Sequence, residues 1–454
     1  MKQASFDAIC HPQIQSLMQV NKDKLQEWIN GLGSPLHLLF PEIFKQNIFA
    51  FKQVLDRHNI NHKLLFAKKA NKAQCFAAAC AQQQIGIDVA SIAEFELALA
   101  AGIKGDDIGL SGPHKCDRLL SLAIAHNALI AIDSLNELKD LVCLARLAKQ
   151  TRGVRILLRI RPQSQKKSRF GLATAELDQA FSLCFQWREH IYLQGFSCHL
   201  SGYSTAQRGE AGHQLIDYIV QAQQLGFKCN HINIGGGFAV SYLADDSWQQ
   251  SLDYEAFHGS KTFAGFYPYH NPCTGPDALE QVLQQKNEQQ QMLGQRLREL
   301  SLCLMLEPGR ALLDQAGISL FSVQGCKPVA GTSDCHIATV KGMSFSLSEQ
   351  WFNSEFLPSP LLIPSRENIP LADTGAESLY KVAIGGNTCL DDDMLSWRFI
   401  SFEQYPKKQD LIAYINTAGY QMDSNESAFH STSPPRKIAV SLAGETITWQ
   451  LDNQ

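Results

Sequence analysis

Eight short apolar runs, each closing on residues able to do chemistry and each followed by a longer amphipathic stretch, constrain this chain more than any other feature. They are His62 to Lys68 (HKLLFAK), Ile85 to Ala90 (IGIDVA), Asp107 to Ser111 (DIGLS), Ala128 to Asp133 (ALIAID), Val154 to Ile160 (VRILLRI), Leu193 to Leu200 (LQGFSCHL), His231 to Ile234 (HINI) and Leu302 to Leu306 (LCLML). Continuous apolar runs alternating with helical stretches such as IAEFELALAAG and LNELKDLVCLARLAK predict parallel strands with crossover helices. Eight such units predict a closed (β/α)8 barrel, with an open doubly wound sheet as the alternative. The ends of the runs favour the barrel, because barrel enzymes build their site at the C-terminal ends of the strands. In order those ends carry Lys69, then Asp88 and Ser91, Ser111 and Gly112, Asp133, Arg159 and Arg161, His199, the triplet Gly235, Gly236 and Gly237, and finally Glu307 and Arg310.

After residue 310 the helical spacing fades. Short strand-like runs broken by Pro and Gly follow (GISLFSVQGCK, CHIATVKGM, YKVAIGG, DLIAYIN, KIAVSL) and predict a β-sandwich or β-barrel domain over 311–454. Residues 1–40, with the run PLHLLF, are expected to add a strand to it, leaving 41–310 as the barrel. The irregular segment 243–290, with KTFAGFYPYHNPCTGP at its centre, is longer than a barrel connection needs and reads as an insertion over the barrel mouth. KNEQQQ near residue 286 reads as a short polar helix.

Composition excludes several classes. Forty basic against 44 acidic side chains leave a net charge of −4, so no bias toward nucleic acid is present. Thirteen cysteines without a CxxC pair fit free thiols in a reducing, cytoplasmic setting better than a disulfide framework or a zinc site. No apolar run reaches the length of a membrane span, and the N-terminus has no continuous apolar core of a signal peptide.

The strand ends carry a consistent chemistry. Lys69 in FAKKAN follows an apolar strand, where partial desolvation lowers a lysine's pKa and frees an amine for Schiff-base formation, while Lys68 points the other way. A lysine in that place is otherwise a solvated surface charge. INIGGGF sets three glycines after a strand, so that backbone N–H groups can cradle a phosphate; the plain alternative is a tight turn. EPGR offers Glu307 for a protonated ring nitrogen and Arg310 for phosphate, or else a surface ion pair. His199 is either a satisfied core histidine or a ring that stacks on a planar cofactor. An amine, a stacking ring, a phosphate cradle and a carboxylate for a pyridinium nitrogen are together what pyridoxal 5′-phosphate requires.

The chain also resembles the fold-type III pyridoxal-phosphate-dependent decarboxylases, the group of ornithine, arginine and diaminopimelate decarboxylases. FAKKAN, GIDVASIAEFELALAAG, SGPHK, AIDSLNEL, LLRIRP, SRFGL, GFSCHLSG, INIGGGF, EPGRALL, GGNTCLDDD and TAGYQM carry the resemblance over nearly the whole chain. It implies that Lys69 holds the cofactor covalently, His199 stacks on its ring and Glu307 binds the pyridine nitrogen. It further implies that Gly235 to Gly237, Arg310 and Tyr420 hold the phosphate, and that Asp88, Glu94 and Arg159 stand behind these groups. Cys389 would reach the site of the other subunit of a homodimer with shared active sites.

Two positions depart from the family. Its HxGS is here His199, Leu200, Ser201, Gly202, so the serine contact to phosphate falls to Ser201 or Ser204. After the cysteine, decarboxylases of basic amino acids place an Asp or Glu that pairs with the distal ammonium of the substrate. This chain has Leu390, which cannot neutralise a buried cation, although Asp391 or Asp392 stands close by. The expectation is therefore decarboxylation of an amino acid or amino-acid conjugate other than free lysine or ornithine, with Arg161, Lys115 and the tyrosines of the insertion near its distal end. A racemase of this fold is the nearest rival, but such racemases pair the ring nitrogen with arginine. A cofactor-binding protein without catalysis usually keeps the barrel alone.

Overall fold

Strand β1 (Leu36–Leu39) precedes a series of eight parallel strands that close on themselves. These are β2 (His62–Ala67), β3 (Gly86–Val89), β4 (Ile108–Leu110), β5 (Leu129–Ile132), β6 (Val154–Arg159), β7 (Ile191–Ser197), β8 (His231–Asn233) and β9 (Cys303–Leu306). β9 returns to β2 with Lys63 opposite Met305, which completes the barrel. Each strand falls on one of the eight apolar runs. The computed structural model describes residues 6–148, 153–332, 334–347, 353–366, 379–423, 425, 427–444 and 446–452. They divide into two units, one of Lys45–Ala239 with Cys273–Leu312 and one of Met1–Phe44, Val240–Pro272 and Leu313–Gln454.

The barrel interior is a packed core. Leu65, Leu129, Leu157, Cys303 and Met305 from β2, β5, β6 and β9 form one buried cluster inside it. β2 stops one residue short of the expected Lys68, because Lys68 turns inward. Its buried Nζ donates to the carbonyls of Asn71 (2.7 Å) and Ala73 (3.0 Å), both just beyond the tight 3₁₀ turn Lys68–Ala70. The polar segment KNEQQQ is a turn between the helices Gly275–Gln284 and Leu293–Glu299, and not a helix. Asn287 decides this, since its Oδ1 accepts the N–H of Gln291 (2.9 Å) and its own N–H donates to the Gln291 carbonyl (3.1 Å).

The other unit is a mostly antiparallel β domain. It comprises β1, β10 (Gly317–Pro328), β11 (Cys335–Lys341), β12 (Leu361–Ile363), β13 (Tyr380–Gly385), β14 (Met394–Phe402), β15 (Leu411–Ile415), β16 (Arg436–Ala443) and β17 (Thr446–Leu451). All nine strands belong to one hydrogen-bonded network, which branches where the long β10 pairs with β1, β11 and β15. The N-terminal run PLHLLF supplies β1, whose Leu38 lies between Ile318 of β10 and Ile438 of β16. Of the tyrosine-rich segment, Val240–Pro272 groups with this unit and the rest of it with the barrel. Tyr269 is fully buried against Tyr242, Trp248 and Phe356 and donates its hydroxyl to the Glu355 carbonyl (2.6 Å), so it is a core side chain. Glu355 is itself buried, accepts the N–H of Trp397 (2.9 Å), and burial pushes its carboxyl up to about 7.

All thirteen cysteines are free thiols. Among the described residues no helix is long and apolar enough to cross a membrane.

Candidate active site

The C-terminal ends of β2, β3, β8 and β9 bring together the acid and amine groups singled out in the sequence. Lys69 sits in the turn after β2, with Nζ 3.5 Å from Oδ2 of Asp88 on β3. Asp88 is buried; Ser111 donates to its Oδ2 at 3.0 Å, while Oδ1 has no hydrogen-bond partner among the described residues. Burial, reinforced by the nearby Glu307 carboxylate, pushes the Asp88 carboxyl up to about 7 against the opposing pull of Lys69.

Glu307 follows β9 and goes the other way. Burial alone would raise its pKa, yet His199, Lys69 and Asn233 together hold it below the ordinary carboxylate value. Asn233, at the end of β8, donates to Glu307 Oε1 at 2.5 Å and accepts the Gly235 N–H at 2.8 Å, so one amide links the acid to the glycine turn. Nδ1 of His199 lies 3.9 Å from Glu307 Oε2, an ion-pair distance too long for a hydrogen bond. Burial lowers the His199 pKa, and Lys69 and Arg159 add to that against Glu307. Two buried carboxylates with opposite shifts, beside one amine, divide the protonated and the ionised role between them.

The glycine triplet is required by its surroundings. Gly235 and Gly237 have φ of +71° and +80°, and a Cβ on Gly236 would lie 2.3 Å from the Glu307 carbonyl oxygen. A Cβ on Gly237 would lie 2.4 Å from a guanidinium nitrogen of Arg208, a residue that sequence reasoning did not find. Arg208 stands in the first turn of the helix Thr205–Gln224, where an arginine reads as surface charge. Arg310 opens the turn Arg310–Leu312 just after Glu307. Of the two candidate serines, Ser204 caps the helix Thr205–Gln224, its Oγ accepting the N–H of Gln207 (3.2 Å). Ser201 is exposed and tied through its backbone to the side chain of Gln165 (2.8 and 3.0 Å).

Other expected residues are engaged in shaping the barrel end. Glu94 accepts the Ala90 N–H (2.8 Å) while Ser91 Oγ accepts the Glu94 N–H (3.2 Å), a reciprocal cap on the helix Ile92–Ala100. Ser134 and Glu137 repeat that pattern at the helix Leu135–Leu147, and Glu137 also forms a fully buried ion pair with Lys115 (2.9 Å). Lys115 also donates to the Gly112 carbonyl (3.0 Å), so it is structural and not available to the distal end of a substrate. Arg161 donates to the Gly171 carbonyl (3.0 Å). Arg159 pairs with Asp133 (2.9 Å) and lies over the Phe170 ring at 4.4 Å, and Arg169 lies 4.2 Å from the same ring.

A pocket of about 580 Å³ beside His199 is lined by Arg159, Gln165, Lys167, Arg169, Phe170 and Ser201, among others. It has three cationic side chains and no carboxylate on its wall.

Cys389 and Tyr420 belong to the β unit. Cys389 is exposed in the middle of the loop between β13 and β14, and its N–H donates to Nε2 of His430 (3.4 Å). Tyr420 has a φ of +75°. Asp393 is buried and accepts from the Ser344 N–H (2.7 Å) and Thr388 Oγ1 (2.6 Å), so it shapes the GGNTC loop. Leu390 is 48% exposed, and Asp392 pairs with Lys261 at 3.2 Å.

The barrel end fits pyridoxal phosphate on its own chemistry. A glycine turn that any Cβ would fill, an amine beside a buried acid with an unpartnered oxygen, and a second acid held ionised supply what that cofactor needs. A family model described as pyridoxal-dependent decarboxylase, pyridoxal binding domain, matches residues 43–313. The uncharacterized protein y4yA of Sinorhizobium fredii is 34% identical over 421 residues, covering 92% of this chain and 90% of that protein. The diaminopimelate decarboxylase of Bacillus subtilis is 25% identical over 414 residues, covering 87% of this chain and 84% of its own length. Among solved structures, diaminopimelate decarboxylase from Helicobacter pylori complexed with L-lysine shares the fold, with a TM-score of 0.71 at 18% identity, over 94% of this chain and 97% of that one.

Proposed function

The chain belongs to the pyridoxal-dependent decarboxylase family, and on that premise we propose that it decarboxylates an amino acid or amino-acid conjugate whose distal end carries no free ammonium group. The enzyme is a pyridoxal-phosphate-dependent amino-acid decarboxylase. The observation that carries the site assignment is the convergence of Lys69, Asp88, Asn233 and Glu307 on the C-terminal ends of four barrel strands.

When bound, the cofactor supplies a sink for the electron pair left behind as CO2 departs. Lys69 holds it covalently through Nζ, and Asp88, poised near neutrality, exchanges a proton with that amine. Glu307 stays ionised and keeps a proton on the ring nitrogen, while Asn233 fixes the carboxylate's orientation. His199 covers a ring face. The Gly235 to Gly237 turn and Arg310 hold the phosphate. In this reading the protein is a cytoplasmic homodimer, and the Cys389 thiol returns a proton to the substrate carbon in the site of the other subunit.

Two features support the substrate class. Leu390 offers no charge to a distal ammonium, Asp393 is committed to its own loop, and Asp392 already pairs with Lys261. The pocket beside His199, where Lys167 and Arg169 stand in addition to the Asp133-paired Arg159 and no carboxylate lines the wall, favours an anionic distal group. The test is to incubate the holoprotein with amino acids and conjugates of cationic, neutral and anionic distal ends while following CO2 release and the cofactor absorbance. Release of CO2 from none of them would remove the reading.

A further inference from the structure

Arg208 is 1% exposed, yet no carboxylate pairs with it among the described residues. The guanidinium's single hydrogen bond among the described residues runs from Nη2 to the Gly202 carbonyl at 3.3 Å, and Nε has no partner there. The guanidinium also lies 5.6 Å from the Phe238 ring, a weak contact for a buried charge. Burial accordingly depresses its pKa, opposed only by Cys198 and Tyr203. A buried cation without a counter-ion is costly, and proteins keep one where an anion arrives to complete it.

Its position identifies the anion. Nη2 stands 2.4 Å from where a Cβ of Gly237 would be, at the end of the glycine turn, and it also bonds Gly202 of the HLSG loop. That loop is where the family's phosphate-binding serine is displaced, with Ser204 serving as a helix cap and Ser201 tied by its backbone to Gln165.

We propose that Arg208 is a second guanidinium of the phosphate site, placed behind Gly237 to neutralise a phosphate monoester in addition to Arg310 and in place of the displaced serine. This rests on the reading that the Gly235 to Gly237 turn holds the cofactor phosphate. In the phosphate-free protein the same guanidinium is an uncompensated buried charge, so its removal relieves the apoprotein while it weakens the holoprotein. A residue that merely braced the two loops would do the opposite to the apoprotein.

The test compares pyridoxal phosphate with unphosphorylated pyridoxal on the full-length apoprotein, by equilibrium dialysis, for wild type, Arg208→Gln and Arg208→Lys. Arg208→Gln is expected to weaken pyridoxal phosphate about 10- to 100-fold, the range for losing a hydrogen bond to a charged group, and to change pyridoxal by less than about twofold. Arg208→Lys, which keeps the charge but not the fork, should fall between them. Thermal denaturation supplies a second readout: inorganic phosphate should stabilise wild-type apoprotein, and that shift should shrink in Arg208→Gln. Equal weakening of both ligands, an undiminished phosphate shift, or a failure of Arg208→Gln to fold with Arg208→Lys binding like wild type would overturn the assignment and make Arg208 a brace. If wild type itself binds pyridoxal as tightly as pyridoxal phosphate, the glycine-turn reading fails, and this inference with it.

Discussion

Lys69 and Asp88 face each other across the ends of β2 and β3 with 3.5 Å between Nζ and Oδ2, while Lys68 is turned into the protein and held by two carbonyls. The two adjacent lysines are thus separated in role by one tight turn. Borohydride reduction of the holoprotein followed by peptide mapping should place the phosphopyridoxyl group on Lys69. Modification of Lys68 would refute the assignment.

Glu307 is held ionised beside Asn233 and His199, and its contact with the glycine turn runs through its backbone, which a change of side chain leaves in place. Glu307→Ala is therefore expected to retain bound pyridoxal phosphate and to lose about 100-fold or more in decarboxylation rate, the scale of removing one preorganised electrostatic partner. Cofactor content and steady-state rate, measured on the same sample, check this. An unchanged turnover would dispose of the electron-sink role.

Cys389 lies in the β unit and Lys69 in the barrel, so a two-fold dimer with shared sites predicts complementation. Mixed Lys69→Ala and Cys389→Ala chains that exchange subunits freely should regain about a quarter of wild-type activity, a rough statistical figure for sites built from both subunits. Recovery of nothing, with exchange demonstrated by mass, would place both residues in one subunit's site.

Substrate choice should follow charge. L-lysine should be turned over poorly, with L-2-aminoadipate preferred over it by about 10-fold or more in kcat/KM, because the pocket at His199 is cationic and offers no carboxylate to an ammonium group. Lys167→Glu should narrow that ratio while leaving the neutral L-norleucine within about twofold. Efficient turnover of lysine or ornithine by the wild type would sink the idea.

Glu355 gives the β unit a pH signature. A carboxyl whose native pKa stands near 7, above its ordinary unfolded value of 4.5, binds a proton more tightly when folded. Its contribution to stability is complete below about pH 4.5 and is lost as pH rises through about 7, amounting to about 3 kcal/mol at most. Denaturant unfolding of wild type and Glu355→Gln at pH 5 and pH 8 should show this: the advantage of wild type shrinks toward pH 8. A difference between the two that is constant with pH would contradict it.

The eight barrel strands and most of their terminal residues were legible because a strand buried on both faces must be a continuous apolar run, and each run ends where the chain meets solvent or ligand. The places of Lys69, Asp88, Gly235 and Glu307 just at or after strand ends were legible that way, and β1 was legible from its own apolar run. Local sequence cannot report how a polar side chain is used once the chain has folded. Glu94 and Lys115 read as site residues, but one closes a helix cap and the other a buried ion pair with Glu137, both decided by which N–H or carboxylate came within 3 Å. Tyr269 sat in a segment expected to cover the barrel and is instead core to the β unit. Arg208 shows the reverse: in the mixed-polarity helix Thr205–Gln224 it reads as a surface charge, and only the packing of that helix behind Gly202 and Gly237 buries it. Apolar periodicity is written along the chain and selects the barrel, whereas the partner of a buried polar group comes from residues distant in sequence, so tertiary structure alone assigns it.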